Sequence, residues 1–234
     1  LKNKRFLVKL SGEILKNNDS NISWELADNF CKKITPIIKE GIELGFVIGG
    51  GNIFRGASGS INNYNRTIGD QVGMLATSIN GLILAERFKA HGIPAIIQSG
   101  IEIKGIASLF NRDKIEETFT KGGTILFTGG IGNPYFSTDT TSVLRALQIE
   151  ASYVIKATKV DGIYDKDPIL FPDAKKYNIL TFDEIIEKRL KVMDLTAILL
   201  MKENKMKLMV FNMDDINLLK KACKGEKIGT IVEK

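Results

Sequence analysis

Histidine, cysteine and tryptophan are scarce in this sequence of 234 residues: one histidine, two cysteines and one tryptophan. A lone His91 and the widely separated Cys31 and Cys223 leave no Cys/His set for a zinc site. Two isolated thiols also exclude a disulfide framework and suggest a reducing compartment. Long hydrophobic runs are missing as well. No stretch approaches the roughly 20 apolar residues that cross a bilayer. The start, LKNKRFLVKLSGE, is basic, but its apolar part is confined to residues 6–10, too short for a signal-peptide core. A first strand and a cytoplasmic protein are expected instead. Familiar catalytic signatures are also absent. No GxxxxGK[ST] loop occurs and no GxSxG elbow. Windows 49–54 and 130–135 begin like a dinucleotide fingerprint but lack its third glycine. His91 stands just before Gly92 and reads as a helix cap rather than a catalyst.

What is present is an ordinary globular composition, 44% hydrophobic and 26% charged, enough for one large domain. The net charge of +6 raises the question of nucleic acid. The lysines are spread out, however. The densest stretch, 202–227, is interrupted by Glu203, Asp214, Asp215 and Glu226 and has no interleaved aromatics. It reads as a solvated face, not a strand-binding groove.

Short runs rich in Val, Ile and Phe predict strands at 5–10, 44–48, 94–98, 124–127, 153–156, 207–211 and 230–232. Helical patterns separate them. Ser23 caps a predicted helix over 24–39, with Leu26, Phe30, Ile34 and Ile37 forming a stripe. A second helix is expected over 67–89, carrying Val72, Leu75, Ile79, Leu82 and Leu84. Others are expected over 139–149, 194–202 and 214–221, and after the Thr181–Glu184 capping box. Strands alternating with helices imply an α/β fold. It is expected to be a three-layer αβα sandwich around a mostly parallel twisted sheet, in one domain spanning 1–234.

In such sheets ligands bind beyond the carboxyl ends of the strands. Three strand ends open into glycine-rich turns: KLSGE from Lys9, GGGNIFRG from Gly49, and TGGIGNPYFSTD from Thr128. Glycine lets successive backbone N–H groups close on an anion. Lys9 and Arg55 stand beside two of these turns. Together they point to phosphate handling. Phosphoryl transfer asks for positioning and positive charge more than for covalent help. Lys9, at the end of a buried strand, suits that role. Asp139, at a helix start, either caps N–H groups or orients a lysine. Asp161, Asp165 and Asp167 are too few and too close for an EF-hand. Their loop reads as a nucleotide wrap or a simple turn.

Read together, VKLSGE (8–13), VIGGGNIFRG (47–56), GDQVGMLAT (69–77), GGIGNPYFSTDT (129–140), RALQIEA (145–151), ATKVDGIYDKDP (157–168), KVMD (191–194) and VFNM (210–213) resemble the bacterial uridylate kinase family. That family lies within the amino acid kinase superfamily, and the resemblance runs in order over nearly the whole chain. It implies ATP-dependent phosphorylation of UMP to UDP in pyrimidine synthesis, magnesium arriving with ATP, and a homohexamer. A GTP or UTP effector is implied too, although the family differs internally over which.

The resemblance assigns Lys9, Leu10, Ser11, Gly12, Gly51, Arg55, Thr158, Tyr164 and Asp167 to ATP. It assigns Gly50, Arg55, Asp70, Ile131, Gly132, Asn133, Pro134, Tyr135, Phe136, Ser137 and Thr138 to UMP. Lys9, Asp139 and Lys191 become the catalytic candidates. The monophosphate side falls mainly in 45–140, and the ATP side mainly in 150–234 with the 9–12 turn. Two alternatives stand beside this reading. One is a kinase of the same superfamily acting on a carboxylate or carbamate. Arg55 and Asp70 paired with GNPYFSTDT suit a nucleoside monophosphate better. The other is a non-catalytic nucleotide sensor, against which the retained Lys9, Asp139 and glycines argue.

Overall fold

The computed structural model describes residues 4–54 and 65–234; Arg55 and Gly56 lie outside them. Its centre is strand β1 (Arg5–Leu10). To one side lie β2 (Glu43–Ile48), β3 (Ala95–Ser99), β4 (Ser108–Leu109) and β5 (Thr124–Thr128). To the other lie β6 (Tyr153–Thr158), β9 (Ile179–Leu180), β10 (Lys207–Asn212) and β11 (Thr230–Val232). Their order is β4-β3-β5-β2-β1-β6-β10-β11-β9. Only the β10–β11 pairing is antiparallel. A separate hairpin pairs β7 (Ile163–Tyr164) with β8 (Lys176–Tyr177). The chain thus builds one flank of β1, returns across it, and builds the other. The carboxyl ends of the strands flanking such a reversal are where α/β sheets leave a crevice.

Two helical layers cover the sheet. One holds α1 (Trp24–Lys39), the C-terminal half of α2 (Arg66–Ala90), and α7 (Ile216–Cys223). The other holds α3 (Arg112–Thr120), α4 (Thr138–Gln148), α5 (Phe182–Glu187) and α6 (Leu195–Glu203). The predicted caps are in place: Ser23 Oγ accepts from Leu26 N, and Thr181 and Glu184 form the capping box. Side chains of a strand alternate between faces. Phe6, Val8 and Leu10 therefore enter the α1 layer, while Leu7 enters the α4 layer. Lys9 must then point to the α4 side. By the same rule Val154 and Lys156 share that side while Ile155 takes the other. The two lysines converge under the start of α4.

Candidate active site

Lys9 and Lys156 are register partners on the adjacent parallel strands β1 and β6. Neighbouring strands lie about 4.8 Å apart, so two ammonium groups are forced together, which is unfavourable without a counter-charge. The first turn of α4 supplies one. Asp139 lies 2.7 Å from Lys156 Nζ through Oδ2 and 3.1 Å from Lys9 Nζ through Oδ1. Burial alone would raise the Asp139 carboxyl, yet the two lysines hold it below its ordinary value. Burial, with repulsion from Lys9, pushes the Lys156 ammonium down despite Asp139. Lys156 also donates to the Val192 carbonyl, so two of its three N–H donors are engaged. Lys9 is less committed, meeting Asp139 alone. It is the cation with capacity left for a phosphoryl group.

A second carboxylate stands nearby. Asp194 caps α6 through Ala197 N and accepts from the hydroxyls of Ser137 and Thr140. It ties α6 to the turn that precedes α4.

The glycine turns interlock above these groups. A Cβ at Gly12 would lie 2.1 Å from Asn52 Oδ1 and 2.6 Å from the Gly49 carbonyl, so only glycine lets the first two turns meet. Asn52 and Asn80 exchange amide hydrogen bonds, and Asn80 also donates to the Gly49 carbonyl at 2.8 Å. Gly129, Gly130 and Gly132 all have positive φ, and Thr77 Oγ1 accepts from Gly129 N at 2.8 Å. Between the turns and α2 opens a cleft of about 750 Å³. At its edge Asp70 accepts from Tyr135 N at 2.8 Å and from Arg66 Nε at 3.0 Å. Tyr135 takes a φ of 73°, a region a side chain enters only when held there.

With this geometry in view, the relatives decide the family. The model of the amino acid kinase family matches residues 4–212. A uridylate kinase of Bacteroides thetaiotaomicron is 44% identical over 232 residues, covering 99% of this chain and 98% of that protein. The chain belongs to the bacterial uridylate kinases of the amino acid kinase family. A second such relative, from Magnetococcus marinus, is 45% identical over 231 residues, covering 98% of this chain and 96% of its own. Two solved structures share the fold. A UMP kinase from Bacillus anthracis superposes with a TM-score of 0.92 at 31% identity, over 98% of this chain and 96% of that one. A UMP kinase from Ureaplasma parvum gives 0.91 at 34% identity, over the whole of both chains.

For a uridylate kinase, the residues expected from sequence fall into three groups. Gly50, Asp70, Asn133, Tyr135, Phe136, Ser137 and Thr138 line the cleft; Ile131, Gly132 and Pro134 belong to the same turn. Gly51, expected on the ATP side, lines this cleft too. Lys9, Leu10, Ser11 and Gly12 form the end of β1 and the turn beyond it, with Ser11 Oγ accepting from Glu13 N. Thr158, Tyr164 and Asp167 sit on the β6 flank. There Thr158 donates to the Val160 carbonyl, Tyr164 to Asp161, and Asp167 accepts from Ile169 N. Asp161 further pairs with Lys176, and Asp165 accepts from Lys175 N, so the aspartates fasten their own loop. Arg55 lies outside the described residues.

Lys191 is exposed, immediately before the Val192 whose carbonyl meets Lys156. The second lysine at Asp139, beside Lys9, is Lys156, which the sequence reading missed. Its signal was a charged residue inside the strand YVIKAT, two residues past the buried Val154 and so on the same face. Asp194 was missed in the same way, as the last letter of a quoted motif.

Proposed function

We propose that this chain transfers the γ-phosphoryl group of ATP to UMP, forming UDP and ADP. The observation that carries this reading is the Lys9–Asp139–Lys156 cluster at the carboxyl ends of β1 and β6, opening beside a cleft walled by glycine turns. UMP lies in the cleft with its ribose toward Asp70. ATP lies over the β6 flank with its phosphates on the 9–12 turn. An oxygen of the UMP phosphate attacks the γ-phosphorus as the bond to the β-bridging oxygen breaks, and ADP leaves. No base is needed, because the nucleophile is already anionic. Lys9 stabilises charge gathered between donor and acceptor. Asp139 and Lys156 hold Lys9 in place, so little reorganisation accompanies transfer.

Magnesium fits as the counter-ion of the nucleotide. Asp139 is committed to two ammonium groups and Asp194 to two hydroxyls. Among the described residues no group of three or more acidic, His or Cys side chains converges on one point. Oxygens of the ATP phosphates would therefore supply most of its ligands. The monophosphate half in 45–140 and the ATP half in 150–234 correspond to the two flanks of β1. We further propose a closed homo-oligomer, six subunits by family likeness, and an effector site for GTP or UTP. A cytoplasmic setting agrees with both substrates and with two free, buried cysteines. No helix among the described residues is long and apolar enough to cross a membrane.

The test is ADP release with ATP offered against UMP, CMP, dUMP and acetylglutamate. A strong preference in kcat/KM for UMP is expected. Equal use of CMP, or turnover of acetylglutamate alone, would overturn the reading.

A further inference from the structure

One face of α2 seats all three glycine turns. Its positions 73, 76, 77, 80 and 81 recur at the spacing of a single helical stripe. A Cβ on Gly50 would lie 2.7 Å from Ala76 Cβ and 3.0 Å from the Gly73 carbonyl, so the second turn rests directly on the helix. Thr77 Oγ1 accepts from Gly129 N, and a Cβ on Gly81 would meet Thr128 Cγ2 at 2.3 Å, which seats the third turn. The first turn is reached through a side chain, Asn80.

Asn80 is fully buried and Asn52 is 3% exposed. Their amides exchange two hydrogen bonds, at 2.7 and 3.1 Å. The remaining N–H of Asn80 goes to the Gly49 carbonyl and that of Asn52 to the Asn21 carbonyl, both at 2.8 Å. Every amide donor of the pair is therefore used. Asn52 Oδ1 also abuts Gly12, where an added Cβ would lie 2.1 Å away. Buried amides are costly unless fully bonded. Their directional bonds fix a distance that apolar packing leaves adjustable. The distance fixed here is the one between turns 9–12 and 49–52. Under the reading above, the first holds the ATP phosphates and the second borders the cleft that takes UMP. Donor and acceptor must approach to about 3–3.5 Å in line, and a misplacement of about 1 Å costs about a hundredfold in rate.

We propose that Asn80 is a positioning residue for phosphoryl transfer, which sets the separation of the two phosphate-bearing turns through Asn52 and the Gly49 carbonyl. Being fully buried, it touches neither nucleotide. The proposal rests on the reading of the chain as a UMP kinase. Each turn binds its own nucleotide, and the amide pair governs only how the two meet. Its loss therefore shows in kcat rather than in either Kd.

Two variants test it. Asn80→Leu keeps a similar volume but removes the amide, leaving the Asn52 amide and the Gly49 carbonyl without their partner. The double variant Asn52→Leu, Asn80→Leu removes both amides and puts an apolar contact in their place. An unpaired buried polar group is what destabilises, so Tm should fall in the single variant and recover in part in the double. Each variant is read by thermal melts, by separate titrations with UMP and with a non-hydrolysable ATP analogue, and by kcat per UMP-binding site, so that unfolded molecules do not count. In both variants kcat should fall about tenfold or more, while the Kd of each nucleotide changes less than about threefold. A kcat that recovers along with Tm in the double variant would overturn the proposal, because the pair would then serve stability alone. An unchanged kcat would do so too, as would Kd values that rise as much as kcat falls. Failure of both variants to fold would assign the pair a structural role and end the proposal. A wild-type chain that does not phosphorylate UMP overturns the underlying reading and this inference with it. An active wild type beside equally active variants overturns this inference alone.

Discussion

Lys9 has one partner where Lys156 has two, and that difference separates their roles. Lys9→Ala should lower kcat by about a hundredfold or more, or about 3 kcal/mol. Nucleotide affinities should change much less, since the phosphate contacts proposed for the Ser11–Gly12 backbone would remain. Steady-state kinetics with separate titrations would check this; an unchanged kcat removes Lys9 from the mechanism. Asp139 carries a pH signature. Its folded carboxyl lies below the ordinary 3.8 because Lys9 and Lys156 outweigh burial. The stability it contributes is complete above that ordinary value and is lost as pH falls through the lower folded one. Acid melts of wild type should show this loss, and Asp139→Asn should lack it while starting from a lower Tm at pH 7. Asp70, proposed to hold the UMP ribose, also anchors Tyr135 N. Asp70→Asn keeps an acceptor for that N–H, so it should weaken UMP binding more than ATP binding. Equal losses for the two nucleotides would reject the ribose assignment. Lys9 was legible because a glycine turn follows it. Lys156 was not, because its importance lies in its register with Lys9, and pairing across strands is not written in either strand alone.

Helices with long apolar patterns were legible: α1 runs over the residues its Ser23 cap and stripe foretold. Short elements were not. Strand β4 has two residues, and α3 buries only Ile115, Thr118 and Phe119 among charged neighbours, too few repeats to reveal a period. The expected pattern on α2 proved to be two faces. Leu84 is fully buried, whereas Ile68, Val72, Leu75, Ile79 and Leu82 are 39–54% exposed. Their alternating spacing of four and three places all five on one stripe, the geometry of a helix that packs against another. Burying five large apolar side chains against a second copy would contribute several kcal/mol. A Leu75→Glu, Ile79→Glu double variant should therefore reduce the assembly to smaller species while the fold survives. Light scattering of the wild type should give a multiple of the 25.9 kDa chain. An active wild-type monomer at micromolar concentration would refute the assignment of this face.

At the scale of the molecule, the sheet order explains how one domain can hold two nucleotides. Strand β1 carries Lys9 at its end; the flank built from 43–128, together with the 129–140 segment that leaves it, supplies most of the cleft, and the flank from 153–232 supplies Thr158, Tyr164 and Asp167. The alternation of strands and helices was enough to expect a parallel sheet, but not the return across β1 that sets the flanks apart. If each flank holds its own nucleotide, the two should stabilise the fold separately. A ligand at a hundred times its Kd adds about 2.7 kcal/mol of stability. For a chain of this size that is a rise in Tm of roughly 5–10 °C. Melts at one fixed protein concentration, with UMP alone, a non-hydrolysable ATP analogue alone, and both, should give two such rises and a combined rise near their sum. A Tyr164→Ala, Asp167→Ala double variant should then lose most of the analogue's rise and keep that of UMP. Its own melting point can drop, because Asp167 anchors the 167–171 turn through Ile169 N. The shifts are therefore compared within each protein rather than between them. Equal loss of both rises would mean that the flanks do not divide the substrates, and that UMP and ATP share one continuous surface across β1.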